Sequence, residues 1–289
     1  MSLRGPLKFA DARSNFEESH FVVLGAPFDK TTTFRAGTRF APTTIREASA
    51  NFEPYMFEHG ISFSDIPIHD SGDLHDEGTA DEMVASVEEG ARRIVEAGKF
   101  PVVIGGEHSV TPPVVKAFGE DIAVVIIDAH LDYQNEYQGL RNSHACAHRR
   151  VADIVGEGNV FAFGVRSFSN EEDFEEAVFV DAFRINEHGC EEEFEKALSC
   201  LKERPIYLSL DIDGIDPAFA PGTGTPEPFG LTPFDVKYVI NRLGDRLVGF
   251  DVVEVSPPYD NGNTSMLAAR FIKEVIAVKW KAMNAKGTG

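Results

Sequence analysis

The feature that most constrains this chain is a repeated pairing: short apolar runs, each ending in a cluster of acids and histidines. Phe100-Pro101-Val102-Val103-Ile104 leads into Gly105-Gly106-Glu107-His108-Ser109. Ile122-Ala123-Val124-Val125-Ile126-Ile127 leads into Asp128-Ala129-His130-Leu131-Asp132, and Pro205-Ile206-Tyr207-Leu208 into Ser209-Leu210-Asp211-Ile212-Asp213. Runs that are β-rich and lack polar alternation read as parallel strands buried on both faces. In open α/β sheets ligands sit beyond the carboxyl ends of such strands. Three separate stretches therefore aim metal-type ligands at one edge.

The rest of the chain keeps the same rhythm. Strand-like residues 21–24 precede a helical pattern over 43–57, 101–104 precede 109–118, 159–164 precede 171–176, and 246–253 precede 264–283. Such βαβ alternation predicts a mainly parallel sheet covered by helices on both faces. Residues 81–97 place Met83, Val84, Val87, Ile94 and Val95 between acids, the stripe of a surface helix with one buried side. Two Pro/Gly-rich stretches, 34–42 and 216–230, read as ordered loops; the second is long for a compact domain and is expected near a site. No repeat or linker divides the 289 residues, so one domain is expected over 1–289, with an N-terminal extension at 1–20 and a core at about 21–283.

Charge narrows the partners. Lys+Arg number 27 against 47 Asp+Glu, a net charge of −20, which repels phosphate backbones and anionic membranes and argues against nucleic acid. The same field would draw in a cationic substrate, although a solvated acidic surface or adaptation to salt accounts for it equally well. No stretch approaches the roughly 20 apolar residues of a membrane span, and no basic region followed by an apolar one opens the chain, which predicts that it is not secreted. Cys146, Cys190 and Cys200 are scattered, without C-x-x-C spacing; neither disulfides nor a thiolate zinc site is expected, and a reducing cytoplasm fits.

Asp128, His130 and Asp132 alternate with other residues, so an extended backbone sets them on one face, as it does Asp211 and Asp213. Carboxylates crowded at strand ends repel unless protonated or neutralised by cations. With His108 they make six candidate ligands, four of them carboxylates, a set suited to a hard or borderline divalent ion, Mn²⁺ first. Any one cluster alone reads better as caps and loop hydrogen bonds. Three at strand ends read as a metal site. A mononuclear zinc site of His and Asp is the chemical competitor, and it would leave several acids without a cation.

At this point the chain resembles the ureohydrolase family, the arginase and agmatinase group of binuclear manganese enzymes. The motifs that carry the likeness are Gly25-Ala26-Pro27-Phe28-Asp29, Arg35-Ala36-Gly37-Thr38-Arg39-Phe40-Ala41-Pro42, the three clusters above continued through Gly214-Ile215-Asp216-Pro217, and Glu254-Val255-Ser256-Pro257-Pro258-Tyr259-Asp260. The resemblance implies the arginase-like fold: one three-layer αβα domain with a mainly parallel sheet of about eight strands. It implies two Mn²⁺ per subunit, other divalent ions being possible, one held by His108, Asp128, Asp132 and Asp211 and the other by His130, Asp128, Asp211 and Asp213. A hydroxide shared by the two metals would attack the guanidinium carbon, with Asp132 as proton carrier and His144 as general acid or proton shuttle. Glu254 would pair with the substrate guanidinium. Thr225 would support the substrate pocket, with packing or turn formation an equal alternative. Read without the family, His144 is one histidine in a polar loop and Glu254 one acid after the apolar strand 247–253.

Within the family, Ser256-Pro257-Pro258-Tyr259-Asp260 and Gly222-Thr223-Gly224-Thr225-Pro226-Glu227-Pro228 look agmatinase-like, and the loop 133–142 lacks the Thr/Ser-rich segment of arginases. Agmatine, cleaved to putrescine and urea in polyamine biosynthesis, is therefore the expected substrate. One stretch departs: where agmatinases commonly follow the loop histidine with Gly-Thr, an apolar residue and Arg-Arg, this chain reads His144-Ala145-Cys146-Ala147-His148-Arg149-Arg150. Guanidinobutyrate or arginine stays open as substrate, with Arg149 and Arg150 able to meet a carboxylate if they face the pocket; the expectation is instead a helix with structural ion pairs. A one-metal deacetylase-type amidohydrolase is disfavoured by His130 and Asp213, and a catalytically idle scaffold by retention of every ligand. Family likeness also implies a homo-oligomer, trimer or hexamer.

Overall fold

Each apolar run of the sequence becomes a strand of one sheet in the computed structural model, which describes residues 7–75, 78–169 and 177–286. The strands are β1 (Phe21–Ala26), β4 (Ile68–Asp73), β5 (Phe100–Gly105), β6 (Ala123–Ile127), β7 (Val160–Val165), β8 (Phe179–Asp181), β9 (Ile206–Asp211) and β10 (Leu247–Val253); β2 (Tyr55–Met56) and β3 (Ile61–Ser62) form a separate small hairpin. The sheet runs β4-β1-β5-β10-β9-β6-β7-β8 and every pairing in it is parallel. The interior strands β1, β5, β6, β7 and β9 are buried along their whole length, because both faces are covered.

Two apolar clusters mark the two covered faces. On one, Ile45 of α1 (Ala41–Ser49), Ile185 of α5 (Ala182–His188), Phe194 of α6 (Cys190–Cys200), Val239 of α7 (Pro233–Leu243) and Ile272 of α8 (Asn263–Lys286) pack on the sheet. On the other, Met83 and Val87 of α2 (Ala80–Glu96), Val114 of α3 (Thr111–Lys116) and Val151 of α4 (Ala147–Val155) do the same. The result is a single three-layer α/β domain. Phe9 and Ala12, ahead of β1, are buried in the first cluster, so the N-terminal stretch contributes to the core. Among the described residues no helix is long and apolar enough to cross a membrane.

Some local expectations shift. The helix expected over 43–57 ends at Ser49, and β2 follows; Pro54 disfavours helical backbone at the residue before it, which the apolar count does not register. The segment 109–118 begins as a 3-10 turn at His108–Val110, and α3 occupies only Thr111–Lys116. The helix expected at 171–176 lies outside the described residues. Residues 216–230 form no helix or strand but are tied down: Arg166 Nη2 donates to the carbonyls of Asp213 (2.8 Å) and Glu227 (2.7 Å), and Asp216 Oδ2 accepts from the N–H groups of Phe229 (2.7 Å) and Gly230 (3.0 Å).

Candidate metal centre

The sheet order brings the clusters together. β5, β10, β9 and β6 are consecutive neighbours, and their carboxyl ends deliver His108, Glu254, Asp211 with Asp213, and Asp128 with His130 and Asp132 to one patch of the sheet edge. Backbone donors there claim one oxygen of each central carboxylate. Asp128 Oδ1 accepts from His130 N–H (2.7 Å), Asp211 Oδ1 from Asp213 N–H (2.9 Å), and Asp213 Oδ1 from Ala129 N–H (3.2 Å). The Oδ2 atoms are left to converge. His108 Nδ1 stands 3.0 Å from Asp128 Oδ2, 3.2 Å from Asp211 Oδ2 and 3.5 Å from Asp132 Oδ2. His130 Nδ1 stands 3.0 Å from Asp213 Oδ2 and 3.7 Å from Asp128 Oδ1.

The orientation of His108 tests whether cations fit. Its Nε2 lies 3.2 Å from Ser209 Oγ, whose hydroxyl donates to Asp251 Oδ1 at 2.7 Å while Tyr207 OH donates to Oδ2 at 2.6 Å. With the Ser209 proton committed to Asp251, His108 Nε2 must be the donor, which turns the lone pair of Nδ1 toward the carboxylates. That nitrogen is buried and in hydrogen-bond geometry with none of them. A lone pair aimed among anionic oxygens is repulsive unless a positive charge sits there, and this donor set fits divalent cations. Asp128 belongs to two compact groups of possible ligands, one with His108, Asp132 and His148, the other with His130 and Asp213.

Protons are the alternative positive charge, and the titration tendencies show how strongly one is demanded. Burial alone would lower the pKa of His130, yet the charge of Asp213 and the hydrogen bonds of Asp128 and Asp213 push it up to about 12. Burial opposes His108 in the same way, and Asp128, Asp132 and Asp211 raise it well above its ordinary value. Asp211 is pushed well up by burial and then by the charges of Asp213 and Asp128. Burial also works against the charge of Asp128, but the histidines around it hold its pKa well below the usual carboxylate value.

Beside this cluster lies a cleft. Glu254 is buried, its Oε1 accepting from His108 N–H at 2.8 Å; burial, then the charge of Glu107, raises its pKa well above the ordinary range. Both Asp132 (φ 46°) and Glu254 (φ 60°) hold left-handed backbone conformations, a cost of order 1–3 kcal/mol each that ordinary residues avoid and that clusters at functional sites. Gly106 is required by contact: a Cβ there would stand 1.9 Å from the carbonyl oxygen of Phe28. His144 opens the 3-10 turn His144–Cys146 and is set by Thr31. The Thr31 hydroxyl donates to Glu107 Oε1 (2.5 Å) and faces His144 Nδ1 at 3.0 Å. Its single proton being given to Glu107, Thr31 Oγ1 accepts from His144 Nδ1–H, and Nε2 is the nitrogen left for the cleft.

All the residues singled out in the sequence meet here. Asp132, His144, Thr225 and Glu254 line the cleft together with His130, Asp211 and Asp213, while His108 and Asp128 lie fully buried behind them. Among the described residues lining it there is no Lys or Arg. Arg149 and Arg150 sit in α4, Arg149 with Asp153 (3.8 Å) and across the Tyr133 ring, Arg150 with Asp153 (3.0 Å) and Asn135. They make structural pairs, as expected. Sequence reading missed the supporting roles of Thr31, Glu107, Ser209, Asp251 and His148; only the position of Thr31 in the run Thr31-Thr32-Thr33 after β1 could have drawn notice. A third acid–histidine group, Glu58, His59 and Glu274, is already paired internally and with Lys237.

The chain is similar to known proteins over most of its length. The Arginase family matches residues 19–277. An agmatinase of Bacillus anthracis is 37% identical over 276 residues, covering 93% of this chain and 94% of that one. A guanidinobutyrase of Pseudomonas aeruginosa is also 37% identical, over 273 residues, covering 88% and 85%. Among solved structures, the agmatine ureohydrolase of Thermoplasma volcanium superposes with a TM-score of 0.93 at 41% identity, covering 98% of this chain and 97% of its own.

Proposed function

Since the chain belongs to the arginase family and is thereby a hydrolase acting on guanidino C–N bonds, we propose that its substrate is agmatine and its products are putrescine and urea. The observation that carries the choice is the make-up of the cleft: acids and His130 at its floor, Glu254 in its wall, and no Lys or Arg among the described lining residues. Overall identity does not separate the candidates, because the agmatinase and the guanidinobutyrase above stand at the same 37%. A substrate cationic at both ends suits this cleft. A substrate carboxylate would be desolvated there beside acids, with no Lys or Arg among the described lining residues to pair with it.

One divalent cation, Mn²⁺ by preference, would be held by His108, Asp128, Asp132 and Asp211, and a second by His130, Asp128, Asp211 and Asp213. Such a pair supplies the Lewis acidity that brings the pKa of a water toward neutrality. The protein does the rest. Glu254, with Oε1 anchored on His108 N–H, offers Oε2 to a guanidinium N–H; the bound cation in turn favours the ionised carboxylate. Asp132 accepts a proton as water adds to the guanidinium carbon. His144, its Nδ1–H fixed on Thr31, delivers a proton through Nε2 to the nitrogen of the breaking C–N bond, which leaves as the amine. Thr225 forms part of the pocket wall. The assembly proposed is a homo-oligomer, trimer or hexamer, and light scattering on the purified protein tests it.

The test is urea release by Mn²⁺-reconstituted protein on agmatine, arginine and 4-guanidinobutyrate, with a chelated control. A preference for agmatine of roughly 100-fold in kcat/KM, equivalent to about 2.7 kcal/mol, is expected. Equal or faster turnover of either carboxylate-bearing compound would overturn the substrate assignment.

A further inference from the structure

His148 stands where the sequence departs from the common agmatinase pattern, and the reaction described above gives it no role. It lies in the first turn of α4, 2% exposed, with Nε2 3.1 Å from Asp128 Oδ2 and its ring edge-on to that of His108, centroids 5.2 Å apart. Its surroundings differ from those of His108 in a telling way. His108 Nδ1 lies within 3.5 Å of oxygens from three carboxylates, the pattern of a nitrogen sharing one coordination shell with them. His148 falls in the same compact group as His108, Asp128 and Asp132, but its Nε2 approaches the oxygen of one carboxylate at hydrogen-bond distance, the pattern of a donor behind a ligand.

Resting on the two-cation reading above, we propose that His148 is a positioning residue for the carboxylate shared by both cations: an imidazole whose Nε2–H fixes the plane of Asp128. The carboxylate torsion is soft and has no strong intrinsic preference, so its plane is set by what it touches. His130 N–H holds Oδ1 at 2.7 Å, and His148 holds Oδ2 from the opposite side. With both oxygens pinned, the remaining lone pairs of Asp128 point toward the His108 group and the His130 group at once. A donor of this kind behind a metal ligand typically matters 10- to 100-fold in metal affinity. Because Asp128 belongs to both groups, the loss should weaken both ions together.

The experiment measures Mn²⁺ stoichiometry and affinity by chelator competition for wild type, His148→Phe and His148→Gln, alongside kcat and KM. Phe keeps a ring of similar volume against His108 and removes the donor; Gln supplies an N–H near the position of Nε2. The expected result is two ions in wild type, roughly 10- to 100-fold weaker binding of both in the Phe variant, and recovery to within about threefold in the Gln variant. Kinetic loss in the Phe variant should fall mainly on kcat and be regained by excess Mn²⁺. Wild-type affinity in the Phe variant, or Gln no better than Phe, would overturn the positioning role. Fewer than two ions in wild type would instead overturn the reading it rests on. Circular dichroism of the metal-free proteins checks folding, and if the Phe variant does not fold, His148→Met against His148→Gln carries the same comparison.

Discussion

Removing the metal and raising the pH from 7 to 8 should destabilise the protein, and the magnitude follows from the cluster. His130 has a folded pKa of about 12, far above the roughly 6.5 of an unfolded histidine. The folded state therefore keeps a proton that the unfolded state loses. Stability of this kind is complete below the unfolded pKa and is lost as pH rises toward the folded one, at about 1.4 kcal/mol per pH unit for one group. His130 alone thus costs about 1.4 kcal/mol between pH 7 and 8, and His108, displaced in the same direction, adds to it. Asp211 and Glu254, whose pKa values are raised well above the ordinary carboxylate range, act with the same sign. Asp128, lowered, has its contribution complete above the unfolded carboxylate value and does not change in this window. At roughly 2–4 °C per kcal/mol for a chain of this size, the metal-free Tm should fall by about 3–6 °C or more.

The loaded protein should behave oppositely. Each cation needs its ligands deprotonated, so affinity rises with pH, and a cation at one hundred times its Kd adds about 2.7 kcal/mol per site. Scanning calorimetry in excess Mn²⁺ and in chelator, at pH 7.0, 7.5 and 8.0, gives both curves. The gap between them should widen by at least about 3 °C over that range. A metal-free Tm that is flat or rising, or a gap that narrows, would refute the reasoning.

The remaining predictions address individual side chains. Glu254→Gln should keep both ions but lose about 2–5 kcal/mol of transition-state binding, a fall in kcat/KM of roughly 30- to 5,000-fold; unchanged kcat/KM with agmatine would remove Glu254 from substrate recognition. Thr31→Val removes the hydroxyl between Glu107 and His144, so kcat should drop roughly 10- to 100-fold with metal content intact, and metal loss in its place would assign Thr31 to the cluster. Ser209→Ala breaks the link from His108 to Asp251; Mn²⁺ titration should show one equivalent weakened roughly 10- to 100-fold and the other retained, whereas equal weakening of both would contradict the orientation assigned to His108.

What could be read from the sequence was whatever lies close in sequence. Asp128, His130 and Asp132, or Asp211 and Asp213, share a strand end, so their spacing alone sets them on one face. That β5, β10, β9 and β6 are neighbours is a matter of sheet order, and it depends on contacts between residues far apart in the chain, such as the pairing of Val102 with Phe250 and the bond of His108 N–H to Glu254. The supporting groups were illegible for that reason. Ser209 acts through Asp251 on the next strand, and Thr31 acts 113 residues from His144. Ser209 carries no local mark that separates it from an ordinary polar residue, and the only mark on Thr31 is the threonine run it opens. The overlong helix over 43–57 failed differently: its apolar spacing continues past Ser49, where the helix ends, while Pro54 disfavours helical backbone at Glu53 and so bars a helix running through to 57.

The most direct test of the central claim is anomalous diffraction at the manganese edge from crystals of the Mn²⁺-loaded protein. Two peaks are predicted, one against His108 and Asp132 and one against His130 and Asp213, with Asp128 and Asp211 touching both. A lone peak, or two that do not share those carboxylates, would contradict the account.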